Sequence, residues 1–178
     1  MLEYFHYTKS EQDKLLKSLT ILVDTREKEN SHDHILNYFD SKNIPWKKFK
    51  LDTCDYSFMI PKNDELGIIK DLYFTKEICI ERKANLEELS KNLTSEKARL
   101  SNEFLNAPPT KVLLIENASY GNLVSGKYNT SYNPKSYWAS VFSMWHRYDL
   151  PFFLIEDKKY TGQFIYGFFY YYLRNIIK

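Results

Sequence analysis

The sequence predicts an α/β fold in which a mixed β-sheet is flanked by α-helices. Short apolar runs, typical of buried strands, alternate along the chain with longer segments that carry apolar residues at helical spacing. Helices packed on a sheet are the expected arrangement for such an order. The chain has 178 residues, of which 43% are apolar, and this suits one domain with a single sizeable core.

The first half of the chain predicts a helix, a strand and a helix, followed by three strands. Residues 10–19 carry three leucines at helical spacing behind a possible N-cap at Ser10. Residues 20–24 form a short apolar run that ends in an acid, which predicts a buried strand, and residues 34–40 predict a second helix. The next strands are expected at 46–51, 55–60 and 77–83, with a polar connection over roughly 61–76.

The second half predicts two helices and a strand, then a helix, a strand and a helix. A stripe of Leu86, Leu89 and Leu93 marks the first helix, and Pro108-Pro109 breaks the chain before the strand. Residues 117–133 are rich in Asn, Ser, Gly and Tyr, and we expect a loop there. The remaining elements are expected at 98–105, 111–116, 134–147, 152–155 and 162–177.

Three acids near strand ends are candidates for a metal site. Asp24 closes the first strand, Asp55 opens a later one, and Glu81 lies two residues before Lys83. Because side chains alternate along a strand, Glu81 and Lys83 are expected on the same face. Carboxylates are ligands for Mg²⁺, and a metal with a neighbouring lysine suits phosphodiester hydrolysis. Alone, the pattern is weak, because a turn cap or a solvated edge strand gives the same residues.

Four motif blocks in a fixed order are more specific. They are Val23-Asp24-Thr25-Arg26-Glu27, Cys54-Asp55, Glu81-Arg82-Lys83 and the acid Glu87. Together they resemble the signature of the XPF-type family of structure-specific endonucleases: Gly-Asp, a variable gap, Glu-Arg-Lys, three residues, then Asp. Here Cys54 stands where the family has glycine, and Glu87 stands for its final aspartate. The resemblance extends over nearly the whole chain after Thr20.

The resemblance implies a restriction-endonuclease-like fold and DNA cleavage that depends on Mg²⁺ or Mn²⁺. It also implies that Asp24, Asp55 and Glu81 bind the metal and that Lys83 is the catalytic lysine. Six further residues are expected to support the site or hold phosphate: Arg26, Glu27, Arg82, Glu87, Arg99 and Glu103. For Arg99 and Glu103, an ordinary pair on a helix surface is an equally open interpretation.

Within this interpretation, residues 1–19 form an N-terminal helical segment and residues 20–178 a single nuclease domain. The sequence shows no helix-hairpin-helix module, so we expect a stand-alone form. The substrate is expected to be branched, flap or junction DNA, in repair or recombination. The aromatic residues of the last helix favour a homodimer over a core helix with a wide apolar face, and a separate protein partner is the other possibility.

Composition and charge exclude few functional classes of protein. The formal charge of +2 is small for a protein that coats DNA without chemistry, but it is compatible with an acidic metal site among phosphate-binding residues. Cys54 and Cys79 lack a metal-type spacing and are expected to be reduced. The sequence shows neither a signal peptide nor a membrane-spanning stretch, so a cytoplasmic protein of bacterial, archaeal or phage origin is expected.

Two other functions and the roles of two groups of residues stay open at this stage. A restriction-type or nonspecific nuclease would use the same core, and a non-catalytic DNA-binding or scaffolding subunit would share the fold. Lys47, Lys48 and Lys50 could follow a DNA backbone or form a solvated strand face. The tyrosines of the expected loop could stack on bases or have no such role. These are Tyr120, Tyr128 and Tyr132.

Overall fold

The structure is a computed structural model that describes Leu2, residues 6–27 and residues 30–177. The rest of the expected N-terminal segment, at 1 and 3–5, lies outside the described residues. The helices are α1 (Lys9–Ser18), α2 (Asp33–Ser41), α3 (Leu86–Thr94), α4 (Lys97–Asn106), α5 (Tyr120–Ser125), α6 (Pro134–Tyr148) and α7 (Thr161–Ile176). The strands are β1 (Thr20–Asp24), β2 (Trp46–Phe49), β3 (Tyr56–Ile60), β4 (Leu72–Tyr73), β5 (Ile78–Lys83), β6 (Thr110–Glu116) and β7 (Phe152–Ile155).

The seven strands form one mixed sheet in the order β2-β1-β3-β5-β6-β7, with β4 paired to one end of β3. Strand β3 runs antiparallel to both β1 and β5, whereas β1 and β2, β5 and β6, and β6 and β7 pair in parallel. The predicted fold class, an α/β mixed sheet flanked by helices, is confirmed. Two elements were not predicted: β4 lies in the expected polar connection, and α5 lies in the expected loop.

Each face of the sheet is covered by its own group of helices. Helices α1, α2 and α7 pack on one face, where their leucine, isoleucine and phenylalanine side chains meet the apolar residues of β1, β3, β5 and β6. Helices α3, α4 and α6 pack on the other face, mainly against Leu113 and Ile115 of β6. The second group therefore leaves the ends of β1, β3 and β5 open on its side, and a cleft lies there.

The last helix is anchored in the core along one side. Ile165, Phe169 and Leu173 of α7 are buried in the core. The neighbouring aromatic residues pack against the same core and are only partly exposed. Tyr171 is the exception, because 59% of its surface is exposed. No helix in the described ranges combines the length and apolarity needed to cross a bilayer.

The two cysteines contradict the expectation of reduced thiols, because Cys54 and Cys79 are joined by a disulfide. Their Cα atoms lie 6.2 Å apart, which is within the usual range for a bridge. The proximity follows from strand pairing. Cys79 lies on β5, and Cys54 directly precedes Asp55, whose backbone N–H donates to the Ile80 carbonyl at 3.0 Å. A spacing argument along the sequence could not bring these two residues together.

Candidate active site

Strand β5 positions two charged side chains on the cleft side of the sheet. Glu81 and Lys83 are only 3% and 5% exposed. Lys83 Nζ donates to Glu81 Oε1 at 2.5 Å, so the predicted common face of the two residues is confirmed. Burial of an ammonium group requires such a charged partner.

Asp55 is held beside this pair by backbone contacts with two strands. Its carbonyl accepts from the Asp24 N–H at 2.9 Å, which ties it to β1. Its carboxylate oxygen Oδ2 accepts from the Arg82 backbone N–H at 2.6 Å, which ties it to β5. The three residues Asp55, Glu81 and Lys83 are therefore brought together at the ends of neighbouring strands.

The carboxyls of this group are poorly neutralised. Desolvation, followed by the charges of Glu81 and Glu27, raises the pKa of Asp55 well above its ordinary value, although the residue keeps some contact with solvent. Burial raises the pKa of Glu81 to about 7 despite the attraction of Lys83. For Lys83, burial opposes the charged form, but the charges of Glu81 and Asp55 outweigh it and raise the pKa. The lysine thus stays protonated among acids that lack sufficient counter-charge.

Asp24, the third expected metal ligand, has its own partners. Its Oδ2 accepts from Arg26 Nε at 2.6 Å, and its Oδ1 accepts from the Leu51 backbone N–H at 3.4 Å. Arg26 also donates to the Leu51 carbonyl at 2.9 Å, and 58% of its side chain is exposed. Asp24 and Arg26 therefore form a bonded unit in the wall of the cleft.

Arg82 points to the opposite face of β5, away from Glu81 and Lys83. Its Nη2 donates to Glu116 Oε2 and to the Ser31 carbonyl, each at 2.8 Å. Glu27 lies 3.6 Å from the same guanidinium, and His34 Nε2 lies 2.6 Å from Glu116 Oε1. Since an ionised carboxylate only accepts hydrogen bonds, His34 Nε2 carries the proton.

The cleft in front of the acids has a volume of 690 Å³ and is bounded on the far side by α3 and α4. Five of its lining residues come from those helices, and Glu96 directly precedes α4. The five are Glu88, Lys91, Asn92, Arg99 and Glu103. Arg99 Nη2 pairs with Glu96 at 2.6 Å, and its Nη1 lies 3.5 Å from Glu103. A wide, polar cleft with cations at its rim suits an extended polyanion better than a small enclosed ligand.

Comparison with known proteins supports the motif-based interpretation. Residues 23–168 match the family of the ERCC4 domain, which is more than three quarters of the chain. The chain belongs to this family. The fold is similar to that of XPF from Aeropyrum pernix, at a TM-score of 0.61, 19% identity and 88% coverage of this chain. XPF from Aeropyrum pernix in complex with DNA gives the same TM-score and coverage, at 17% identity.

This ERCC4 domain spans 66% of each of those XPF chains. No curated protein matches it. The expected XPF-type family is therefore confirmed by the family match and the shared fold, whereas the roles of individual site residues stay predictions.

Cys54 adopts the backbone conformation that the glycine of the family motif favours. Its φ angle is 62°, in the left-handed region that favours glycine. The backbone turn before Asp55 is therefore kept although the residue carries a side chain. The departure changes the turn residue and leaves the position of the aspartate intact.

Several other candidate residues lie away from the acids. Glu87 Oε1 accepts from the Asn129 backbone N–H at 2.7 Å, so it anchors the loop after α5. Tyr132 stacks on Tyr137 at 4.9 Å between ring centroids, and Tyr128 packs edge-on against the same ring. Of the three loop tyrosines, Tyr120 is half exposed. Strand β2 lies at an edge of the sheet. There Lys47 covers the Tyr73 ring, and Lys48 and Lys50 are exposed.

Two residues of the site region were missed from the sequence, Glu116 and His34. Glu116 carries a weak signal, because it is an acid that ends an apolar strand, as Asp24 does. His34 carries none, since a histidine in the first turn of a helix is ordinary. Only the fold shows that Glu116 pairs with Arg82 and that His34 contacts Glu116.

The donor set of this ERCC4 domain suits a hard divalent cation. Glu81 Oε2 is buried and accepts no hydrogen bond from the described residues. An anionic oxygen without a donor is costly unless a cation or proton neutralises it. In the described part of the chain, no three His, Cys, Asp or Glu side chains are grouped closely enough to hold a metal. An ion at Asp55 and Glu81 would thus keep several waters, as Mg²⁺ usually does.

Proposed function

We propose that the chain is a metal-dependent endonuclease that hydrolyses phosphodiester bonds in DNA. The single observation that carries this proposal is the grouping of Asp55, Glu81 and Lys83. Two carboxyls with raised pKa values and one ammonium held in its charged form share one open face of the sheet. Perturbed groups of this kind in a cleft are typical of catalytic sites.

In the proposed mechanism, Asp55 and Glu81 would hold Mg²⁺ or Mn²⁺, and Asp24 is a further candidate ligand. The ion would lower the pKa of a bound water and offset charge on the phosphate. Lys83 donates hydrogen bonds to an anionic oxygen of the reacting group, because its ammonium is fixed by Glu81. Arg26 and Arg99, both more than half exposed at the cleft, provide cations for neighbouring phosphates.

We propose branched, flap or junction DNA as the substrate, in repair or recombination. The support is the ERCC4 domain family and the fold shared with XPF from Aeropyrum pernix, one structure of which is a complex with DNA. The cleft adds support, because it is open along one side and has arginines on both walls. A junction exposes phosphates in more than one direction, which such a surface is able to contact.

Cleavage of labelled flap, fork and plain duplex DNA with Mg²⁺ or Mn²⁺ tests the proposal. We expect Lys83→Ala and Asp55→Asn to lower the cleavage rate by about 100-fold or more while DNA binding persists. Lys17→Ala is the matched control, since Lys17 is exposed on α1 at the other face of the sheet. Wild-type protein that binds DNA without cutting it would support a scaffolding subunit instead, and equal cutting of duplex and flap would indicate a nonspecific nuclease.

We also propose that two copies of the chain associate through α7 and the neighbouring edge strand β7. Among the described residues, strand β7 pairs with β6 alone, and Phe153 on this strand is 48% exposed. Its ring contacts Phe164 of α7 at 5.0 Å, and Tyr171 lies exposed on the same helix. Light scattering of the wild type and of Phe153→Lys tests this. A monomeric wild type at micromolar concentration would argue for a separate protein partner.

A further inference from the structure

Glu103 of α4 faces Glu81 across the cleft in an arrangement that the nuclease proposal leaves unexplained. Both residues line the same cleft, and the side-chain contact of Glu103 with the Glu81 carboxyl raises the pKa of Glu81. Glu81 is 3% exposed and the Glu103 side chain 19% exposed, so water screens their repulsion poorly. Two ionised carboxylates do not remain in contact unless a proton or a cation lies between them.

The described cations near this pair do not fill that role. Lys83 is bonded to the other side of Glu81, at Oε1, and Glu81 Oε2 has no donor among the described residues. Arg99 lies 3.5 Å from Glu103, but its close contact, at 2.6 Å, is with Glu96. The Arg99 side chain is 60% exposed, and its interaction with either acid is therefore weak.

We infer that Glu103 and Glu81 together bind a divalent cation on the α4 side of the cleft. Both contribute carboxylate oxygens, the ligand type that Mg²⁺ and Mn²⁺ prefer, and the open cleft leaves room for the waters that complete the shell. The inference rests on the proposed function only in that Glu81 serves both sites. It assigns Glu103 a role that a pair on a helix surface would not have.

The position of Glu103 explains why α4 is well suited to this role. The helix is fixed through Leu100 and Phe104, which are 2% exposed and packed in the core beneath it. Glu103 therefore comes from a rigid element, although its own side chain reaches into the cleft. A ligand held in this way is already oriented before the cation arrives.

Manganese binding by DNA-free protein tests the inference without any cleavage. Free Mn²⁺ is measured by electron paramagnetic resonance at pH 7.5 in the Asp55→Asn background, which weakens the site at Asp55. We expect this variant to retain Mn²⁺ binding and the added change Glu103→Gln to weaken it by about tenfold or more. Adding Glu96→Gln instead is the matched control, because Glu96 lies on the same cleft and contacts the same arginine.

Two outcomes overturn the inference. One is that Asp55→Asn binds no Mn²⁺, and the other is that its affinity is unchanged by Glu103→Gln. Either would mean that a proton holds the pair together. Urea unfolding of the double variant checks that the fold is retained, and Glu103→Ala in the same background provides a second test. Because the readout is metal binding, wild-type protein that fails to cut DNA would overturn the proposed function and leave this inference standing.

Discussion

The two faces of β5 carry charged side chains in opposite states of balance. On one face, the Arg82 guanidinium has Glu116, the Ser31 carbonyl and Glu27 around it, although its buried Nε has no acceptor among the described residues. On the cleft face, Lys83 is the buried cation beside Glu81, whose second carboxylate oxygen has no donor in the described ranges. The two environments lie one residue apart along a single strand.

The pKa values express the same difference. Burial alone would raise the pKa of Glu116, but the bonds from Arg82 outweigh it and the pKa is lowered. Burial raises the pKa of Glu81 to about 7, and Lys83 does not offset it. The charged pair on the Arg82 face therefore stabilises the fold, whereas the buried carboxyls on the cleft face lower the stability of the fold when they are ionised. Stability and proposed chemistry are thus separated by the alternation of side chains on one strand.

The largest loss of stability is expected from breaking the ion pair on the Arg82 face of β5. Glu116→Ala removes the main partner of a buried arginine and should lower the free energy of unfolding by about 3 kcal/mol, as removal of one partner from a buried pair does. Urea unfolding followed by circular dichroism measures this. In a double-mutant cycle, Arg82→Ala should add little to Glu116→Ala, because the first change already breaks the pair. Fully additive losses would show that the two residues act separately.

On the cleft face of β5, removing a charge is expected to increase the free energy of unfolding. Asp55→Asn removes a charge that burial and two neighbouring acids oppose, and the amide oxygen still accepts from the Arg82 N–H. Metal-free protein should therefore gain on the order of 1–2 kcal/mol in unfolding free energy at pH 8. The same change is expected to abolish cleavage.

The pH dependence of that gain follows from the raised pKa of Asp55. Below the unfolded-state pKa, about 4, both states are protonated and the aspartate costs nothing. As pH rises towards the folded-state pKa, only the unfolded state loses its proton, so wild-type stability falls. The difference between Asp55→Asn and wild type should thus grow with pH in chelator. A gain that is constant from pH 4 to pH 8 would contradict this cause, and added Mg²⁺ should shrink the gain by stabilising the wild type.

The fold was predictable because its strands and helices carry strong periodic signals. The strands at the centre of the sheet are apolar runs, and their expected positions agree with the structure to within a few residues. β4 was missed because Leu72 and Tyr73 are too few to show a period. α5 was missed because Gly121, Asn122 and Ser125 are residues typical of a loop, and six residues are too few to show a helical period.

The candidate site was predictable where its geometry follows from a single strand. The common face of Glu81 and Lys83 is a consequence of alternation, and it was predicted correctly. The contacts of Arg82 were not, because Glu116 lies on another strand and the Ser31 carbonyl lies in the segment before α2. The pairing of Cys54 with Cys79 was not predicted for the same reason, because it depends on which strands are neighbours in the sheet.

The smallest loss of stability is expected from His34→Ala, at the edge of the Arg82 face of β5. The imidazole donates to Glu116 at 2.6 Å, but Glu116 keeps its bond to Arg82 when the imidazole is removed. Because 19% of the His34 side chain is exposed, water replaces part of the lost bond, and the unfolding free energy should fall by only about 1 kcal/mol.

His146→Ala is the matched control, because His146 is exposed on α6 and should change the unfolding free energy by no more than about 0.5 kcal/mol. Manganese binding should be unchanged in both variants, since neither histidine lines the cleft. If His34→Ala were as damaging as Glu116→Ala, the histidine would be what orients the Glu116 carboxylate. The balance of this face would then depend on a chain of three side chains instead of on the pair formed by Arg82 and Glu116.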